Sequence, residues 1–204
     1  GSTRPEFHRI KSITDQFEPG STFKVVSTVS ALYDGLISLN DEFNCENGSF
    51  EYHTKKITDH ESYSMLTASQ IIHHSSNIGI IKIMDQVGRK KLFSMSRDFG
   101  FGSKTGINLN GEVSGKLNHY NDWSAVSLGM IAMGHEVGVT AIQLASAYCA
   151  LANGGYLLKP RIVKQIMDES ENIIYSEEPV VLRKIADEST IKSVREMLRG
   201  VVVK

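Results

Sequence analysis

The chain has 204 residues, 41% of them apolar and 22% charged, with a formal net charge of −1. That is enough apolar chain for one globular domain, or one with a subdomain, and too little excess charge for nucleic acid to be the main partner. No apolar run approaches the roughly 20 residues that a membrane-spanning helix needs.

No signal peptide is visible, and Gly1-Ser2 reads as a cloning remnant, so any targeting segment is expected to have been cut away. Residues 3–17 mix charged and apolar positions without a clear period and read as a strand or loop. The turn at Pro19-Gly20 then feeds a helix expected over 21–38, with Phe23, Val26, Val29, Leu32, Leu36 and Ile37 on its core face. From Leu39 to Ser64 the chain is polar, with turn signals at Asn40-Asp41, Asn47-Gly48 and Thr58-Asp59-His60, and reads as a long irregular segment. Thr67 to Met84 reads as helix, turn, helix, centred on His73-His74-Ser75-Ser76-Asn77. A short helix over Arg89–Asp98 follows, then a Phe99-Gly100-Phe101-Gly102 loop and a further loop over 103–123.

A small-residue helix over Thr140–Ala152 should close at Asn153-Gly154-Gly155, and Cys149 within it reads as a buried thiol. Pro160–Ser176 alternates around a turn at Ser170-Glu171-Asn172 and reads as a hairpin. The last helix is expected over Ser189–Arg199, with Val201-Val202-Val203 opening an apolar strand.

Two clusters carry chemistry. Ser21 and Lys24 stand one helical turn apart, so a hydroxyl and an amine share a face. A lysine whose charge is disfavoured by burial offers some neutral amine to take a serine proton, and a helix N-terminus favours the developing anion. The spacing alone is weak, since a Ser-x-x-Lys arises about once by chance in a chain of this length. Ser189-Thr190-Ile191-Lys192 is a second one and reads as an ordinary capped surface helix. In the other cluster, Ser75 and Asn77 place a hydroxyl and an amide on an inter-helix turn. Such a hydroxyl can relay a proton, and the amide both donates and accepts. A polar turn is the plainer reading of Ser75-Ser76-Asn77 taken alone.

Glu18 to Lys24, Ser75 to Asn77, Phe99-Gly100-Phe101-Gly102 with Thr105-Gly106-Ile107, Gly111-Glu112 with Ser114-Gly115, and Val139 to Ala145 through Ala152 to Gly155 occur in order. Together they resemble class B penicillin-binding proteins, the monofunctional peptidoglycan D,D-transpeptidases of cell division and elongation, from about Ile10 onward. The resemblance implies an α/β (α+β) transpeptidase fold like that of serine β-lactamases, with a helical subdomain over about 21–155. A C-terminal hairpin, helix and the start of a partial antiparallel core sheet would follow over about 156–204. It implies Ser21 as the acyl-enzyme nucleophile, Lys24 as its general base, Ser75 as proton relay and Asn77 as a contact to the substrate amide. The Ser21 backbone N–H would be one oxyanion donor. The partners it implies are D-Ala-D-Ala stem peptides, β-lactams and division or elongation membrane proteins. No cofactor and no metal is implied. The parent protein would work in the periplasm, anchored by an N-terminal transmembrane helix absent here.

The family's third motif, Lys-Thr/Ser-Gly on a strand, is tempting at Lys104-Thr105-Gly106, but these residues lie in a glycine- and asparagine-rich loop where the family carries Thr-Gly-Ile. The motif is expected beyond Lys204, so the chain is expected to end before its site is complete. Three rivals are weighed. A zinc enzyme lacks any His-Glu-x-x-His or Cys/His spacing among the seven histidines and two cysteines. A β-lactamase or β-lactam sensor shares the Ser/Lys chemistry, but the 99–115 and 140–155 blocks favour the transpeptidase. An incomplete or degenerate domain that binds without turnover is the third.

Overall fold

A computed structural model describes residues 9–202. Its centre is α2, Lys24–Leu32, in which every residue from Lys24 to Ala31 is buried. The expected face of the helix, Phe23, Val26 and Val29, is fully buried, but so are polar positions on the other sides. A helix can be covered all round only when neighbours enclose it, and α2 is packed by the helices Asn77–Val87, Arg89–Asp98, Ser127–Ala132 and Glu188–Val202. Buried hydroxyls then need internal partners. Thr28 donates to the Lys24 carbonyl at 2.8 Å, and Ser27 donates to the Ala132 carbonyl at 3.1 Å. The helix stops earlier than its apolar pattern suggests: Gly35 takes a left-handed φ of +66°, leaving Leu36 50% exposed while Ile37 folds back into the core.

Before α2, α1 is one turn, Lys11–Thr14, with Ile13 buried, and Phe17 makes an isolated antiparallel bridge to Val139. The segment expected to be irregular after α2 is in fact folded. It forms β1 (Glu42–Asn44), β2 (Ser49–Tyr52), β3 (Lys55–Thr58) and β4 (Met65–Thr67), with β1 antiparallel to β4 and β2 antiparallel to β3. These strands are three or four residues long, too short for alternation to stand out, and the β2–β3 turn relies on His53 at φ +53° rather than on a glycine.

The helix-turn-helix expected next is present as α3 (Ala68–His73) and α4 (Asn77–Val87). Thr67 and Gln70 form a capping box on α3, and the Ser76 hydroxyl accepts from the Gly79 amide to cap α4. After α5 (Arg89–Asp98), the Phe99–Gly102 loop is pinned by two buried rings, Phe99 and Phe101. Then come α6 (Ser127–Ala132) and α7 (Ala141–Ala152), the latter with its own Thr140/Gln143 capping box.

The C-terminal region carries β5 (Tyr156–Leu158), β6 (Gln165–Met167), β7 (Ile173–Ser176), β8 (Val181–Lys184) and α8 (Glu188–Val202). The expected hairpin is β6–β7, and β5 pairs with β8 outside it. The whole is a mixed α/β fold whose described strands form four separate two-stranded antiparallel ladders.

Two expectations are corrected. Val201 and Val202 belong to the last turn of α8 rather than opening a strand, because the spacing Val194, Leu198, Val201 continues the helical period; Val203 lies outside the described residues. Cys149 is exposed, since α7 turns Gln143, Ala147, Ala150 and Leu151 inward and Cys149 lies off that face, whereas Cys45 is buried. In native protein a thiol-reactive chromophore should therefore titrate Cys149 rapidly and Cys45 only after denaturant is added. Equal, slow reaction of both thiols would contradict this placement.

Candidate active site

Three segments distant in sequence meet at the start of α2. The first is the lead-in to that helix. Gly20 takes φ +57°, and Gly20–Phe23 form a 3-10 turn that runs into α2. Ser21 is exposed on this turn, at the positive end of the helix, and its carbonyl accepts from the Lys24 backbone amide.

The second segment clamps that turn. The Gly20 amide donates to the Gly134 carbonyl at 3.1 Å. The Glu18 carboxylate holds the His135 ring at 2.9 Å and accepts the Glu136 amide at 2.9 Å. These bonds, the imidazole first, keep the Glu18 carboxyl below its usual range. Gly134 is left-handed at φ +87°, and a Cβ there would collide with the backbone of Gly20. The glycine is thus what allows the two chains to lie this close.

The third segment is the α3–α4 turn. Ser75 is left-handed at φ +52°, an uncommon conformation for a residue other than glycine, and it turns the chain between the two helices. Lys24, 3% exposed, reaches into this turn. Its Nζ donates to the Ser75 carbonyl at 2.5 Å, to Ser75 Oγ at 3.0 Å and to Asn77 Oδ1 at 2.8 Å. An ammonium has three protons, and these three acceptors use them all. Burial lowers the Lys24 pKa to about 8, a fall that the Asp59 carboxylate partly offsets. At neutral pH the resting group is mostly an ammonium, but a substantial minority of neutral amine is in reach.

Lys24, Ser75 and Asn77 are thus brought into direct contact. Ser21 is one turn away along the same helix, but among the described residues the hydrogen-bond partners of Lys24 Nζ do not include Ser21 Oγ. The Asn77 amide is engaged at both ends: Oδ1 accepts from Lys24, and Nδ2 donates to the Thr58 carbonyl at 3.0 Å. A cavity of about 600 Å³ between the end of α2 and α5 is lined by none of these four residues.

Lys104-Thr105-Gly106 is a loop, not a strand. The Thr105 amide and hydroxyl donate to one Glu112 oxygen at 2.7 and 2.5 Å, and the Gly106 amide donates to the other at 3.1 Å. That buried carboxylate clamp explains why Thr-Gly precedes Gly-Glu at this spacing. The second Ser-x-x-Lys lies in the start of α8, a capped helix as expected: the Asp187 carboxylate accepts the Thr190 amide at 2.8 Å and the Ser189 hydroxyl, with Ser189 and Lys192 exposed.

Two residues of this region were not visible as site residues in the sequence. His135 lies 117 positions from its partner Glu18. Asp59, which reads as a turn residue, accepts the Asn77 and Ile78 amides at 2.5 and 3.1 Å and the Ser76 hydroxyl at 2.6 Å. No spacing signal links either one to the motifs.

Comparison with known proteins bears on the chain as a whole. The penicillin binding protein transpeptidase domain model matches residues 2–204. Stage V sporulation protein D of Bacillus subtilis is 31% identical over 199 residues, covering 96% of this chain and 31% of that protein. Penicillin-binding protein PbpB of Mycolicibacterium smegmatis is 32% identical over 193 residues, covering 94% of this chain and 30% of that protein. The chain thus spans about a third of the length of the curated relatives it matches. Among solved structures, the transpeptidase domain of Burkholderia pseudomallei penicillin-binding protein 3 superposes with a TM-score of 0.85 at 28% identity, covering 96% of this chain and 56% of that one. Penicillin-binding protein 3 of Mycobacterium tuberculosis complexed with ampicillin superposes with a TM-score of 0.83 at 27% identity, covering 95% of this chain and 43% of that one. The chain belongs to the penicillin-binding protein transpeptidase domain family, in its class B branch.

The clamp on the serine turn gives a direct stability test. Gly134→Ala should lower the free energy of unfolding by about 2–4 kcal/mol, because it adds a backbone clash to the strain of a left-handed alanine. Gly35→Ala, also left-handed but with open space around its Cβ, should cost only about 1 kcal/mol. Urea denaturation of both variants checks the difference, and equal losses would show that the clamp is not tight.

Proposed function

We propose that this chain is the acyl-transfer domain of a peptidoglycan D,D-transpeptidase, with Ser21 as nucleophile, Lys24 as general base, Ser75 as proton relay and Asn77 as a substrate-amide contact. The observation that carries this reading is the buried Lys24 side chain, bonded to Ser75 and Asn77 and one helical turn from an exposed serine.

The chemistry follows from the donor count. The neutral amine has two protons and a lone pair, so losing one proton breaks up the three-acceptor arrangement. The Ser75 carbonyl and Asn77 Oδ1 can only accept, and they hold the two remaining protons. The lone pair is then free to take the Ser21 proton as Oγ attacks the carbonyl carbon of a D-Ala-D-Ala peptide bond or a β-lactam. The tetrahedral oxyanion is stabilised by the Ser21 amide at the start of the helix. The C–N bond breaks, and the proton passes from Lys24 through Ser75 Oγ to the leaving nitrogen. The same path in reverse takes a proton from the amine of a second stem peptide. That amine displaces Ser21 from the ester and forms the cross-link. Asn77 meets the substrate amide by exchanging Nδ2 from the Thr58 carbonyl, a bond at the exposed edge of the turn.

The parent protein, in this reading, acts on the cell wall outside the cytoplasmic membrane and is recruited by division or elongation membrane proteins. Residues 21–155 form its helical subdomain, and 156–204 the hairpin, the last helix and part of the core.

Intact mass after incubation with a penicillin tests the reading. One penicilloyl adduct per chain is expected, mapping to Ser21, absent from Ser21→Ala and formed at least about 100-fold more slowly by Lys24→Ala. The acylation rate should rise with pH through about 8, as Lys24 loses its proton. An intact protein that takes up no penicillin between about pH 6 and pH 10 would overturn the assignment.

A further inference from the structure

We propose that Asp59 is a positioning residue of this site, whose carboxylate holds the Ser76-Asn77 turn and presents a fixed negative charge to Lys24 across Asn77. The inference rests on the acyl-transfer reading above and assigns a task to a residue that reading does not use.

Asp59 follows directly after β3, on a short connection before β4, and is half-buried. One oxygen accepts the first two amides of α4, Asn77 and Ile78, and the other accepts the Ser76 hydroxyl. The same Ser76 oxygen accepts the Gly79 amide at 2.9 Å. Serine and carboxylate together therefore satisfy three of the four amides that a helix start leaves unpaired. A carboxylate there also gains from the positive end of an eleven-residue helix. The geometry fixes more than the helix. Asn77 donates to Asp59 through its backbone amide and accepts from Lys24 through its side chain, so one residue joins the carboxylate to the ammonium. The neighbouring Thr58 carbonyl holds Nδ2 of the same side chain. The connection from β3 thus sets both the place of Asn77 and the field in which Lys24 titrates.

The direction of that effect is definite. A negative charge nearby favours the ammonium, so Asp59 opposes the desolvation that drives Lys24 toward neutrality. It keeps the resting lysine charged enough to hold its three acceptors, while leaving the neutral form within reach. The other titratable groups around the pair do not duplicate this role. The Cys45 thiol, 3.7 Å from Ser76 Oγ, is pushed up by burial and stays neutral. The Tyr63 phenol is pushed up to about 12, chiefly by its bond to Glu61, and stacks on His74. Lys82 and Glu46 neutralise each other at 3.0 Å, and the Glu18 carboxylate is taken up by His135 and the Glu136 amide. His60 follows Asp59 in the chain and His73 ends α3.

The test is the pH profile of penicillin acylation for the intact protein, comparing wild type with Asp59→Asn, Asp59→Ser and Asp59→Glu. Asparagine keeps one side-chain oxygen that can accept the α4 amides but carries no charge, and serine removes the charge with a smaller hydroxyl. The ascending midpoint should fall by about one pH unit in both uncharged variants and stay near the wild-type value in Asp59→Glu. Having two uncharged variants keeps the test decisive if one of them folds poorly. Slower acylation at every pH with an unmoved midpoint would overturn the inference and leave the acyl-transfer reading intact, since Asp59 would then be a helix cap only. A wild type that is not acylated at all would overturn both.

Discussion

The structure depends on taking one charged group, the Lys24 ammonium, out of water at the point where three segments of chain meet. Burying such a charge without partners costs far more than a domain of this size can spare. The fold answers with three acceptors, two from the left-handed Ser75 and one from Asn77. Burial still lowers the pKa of the group to about 8. That compromise joins stability to chemistry. Held by the same acceptors but left solvated, the lysine would be an inert structural cation; buried without acceptors, it would be expelled or permanently neutral.

Everything around it limits movement. The serine turn is held from behind by the Gly20–Gly134 contact and by Glu18 on His135 and Glu136. The Ser75–Asn77 turn is held from the other side by Thr58 and Asp59. α2 carries Lys24 and is enclosed by helices on all sides. A base that must exchange one hydrogen-bond partner during a reaction needs this setting, because only the proton should move.

How much of this was legible in the sequence depended on how local each signal is. Helices α3, α4 and α7 are marked by apolar residues three and four apart and by capping residues within one turn, and α5 by its apolar spacing, so their existence and rough limits could be read directly. Ser21, Lys24, Ser75 and Asn77 were named through the family resemblance of several motifs in order, since the spacing within each pair is by itself a weak signal. The short strands could not, because a three-residue strand such as β1 is defined by its partner more than 20 positions away. The triplet of valines after Gly200 misled for the opposite reason. It has a strand's composition, but Val201 and Val202 complete a helix already under way. Asp59 and His135 were hidden because their partners are distant in sequence, and nothing local reveals that Thr58 and Lys24 occupy the Asn77 amide. Thr105-Gly106 is legible as a loop element from its glycine- and asparagine-rich surroundings, and the Glu112 clamp is its cause.

The central claim is that Lys24 is a buried ammonium close to losing its proton. Selective 13C labelling of lysine and NMR titration of the Lys24 Cε resonance measure this without any substrate, with Lys24→Met supplying the assignment. A midpoint near 8 is expected, well below that of the exposed lysines. A midpoint at the ordinary lysine value near 10.4 would contradict the account, because the side chain would then be as well solvated as any on the surface.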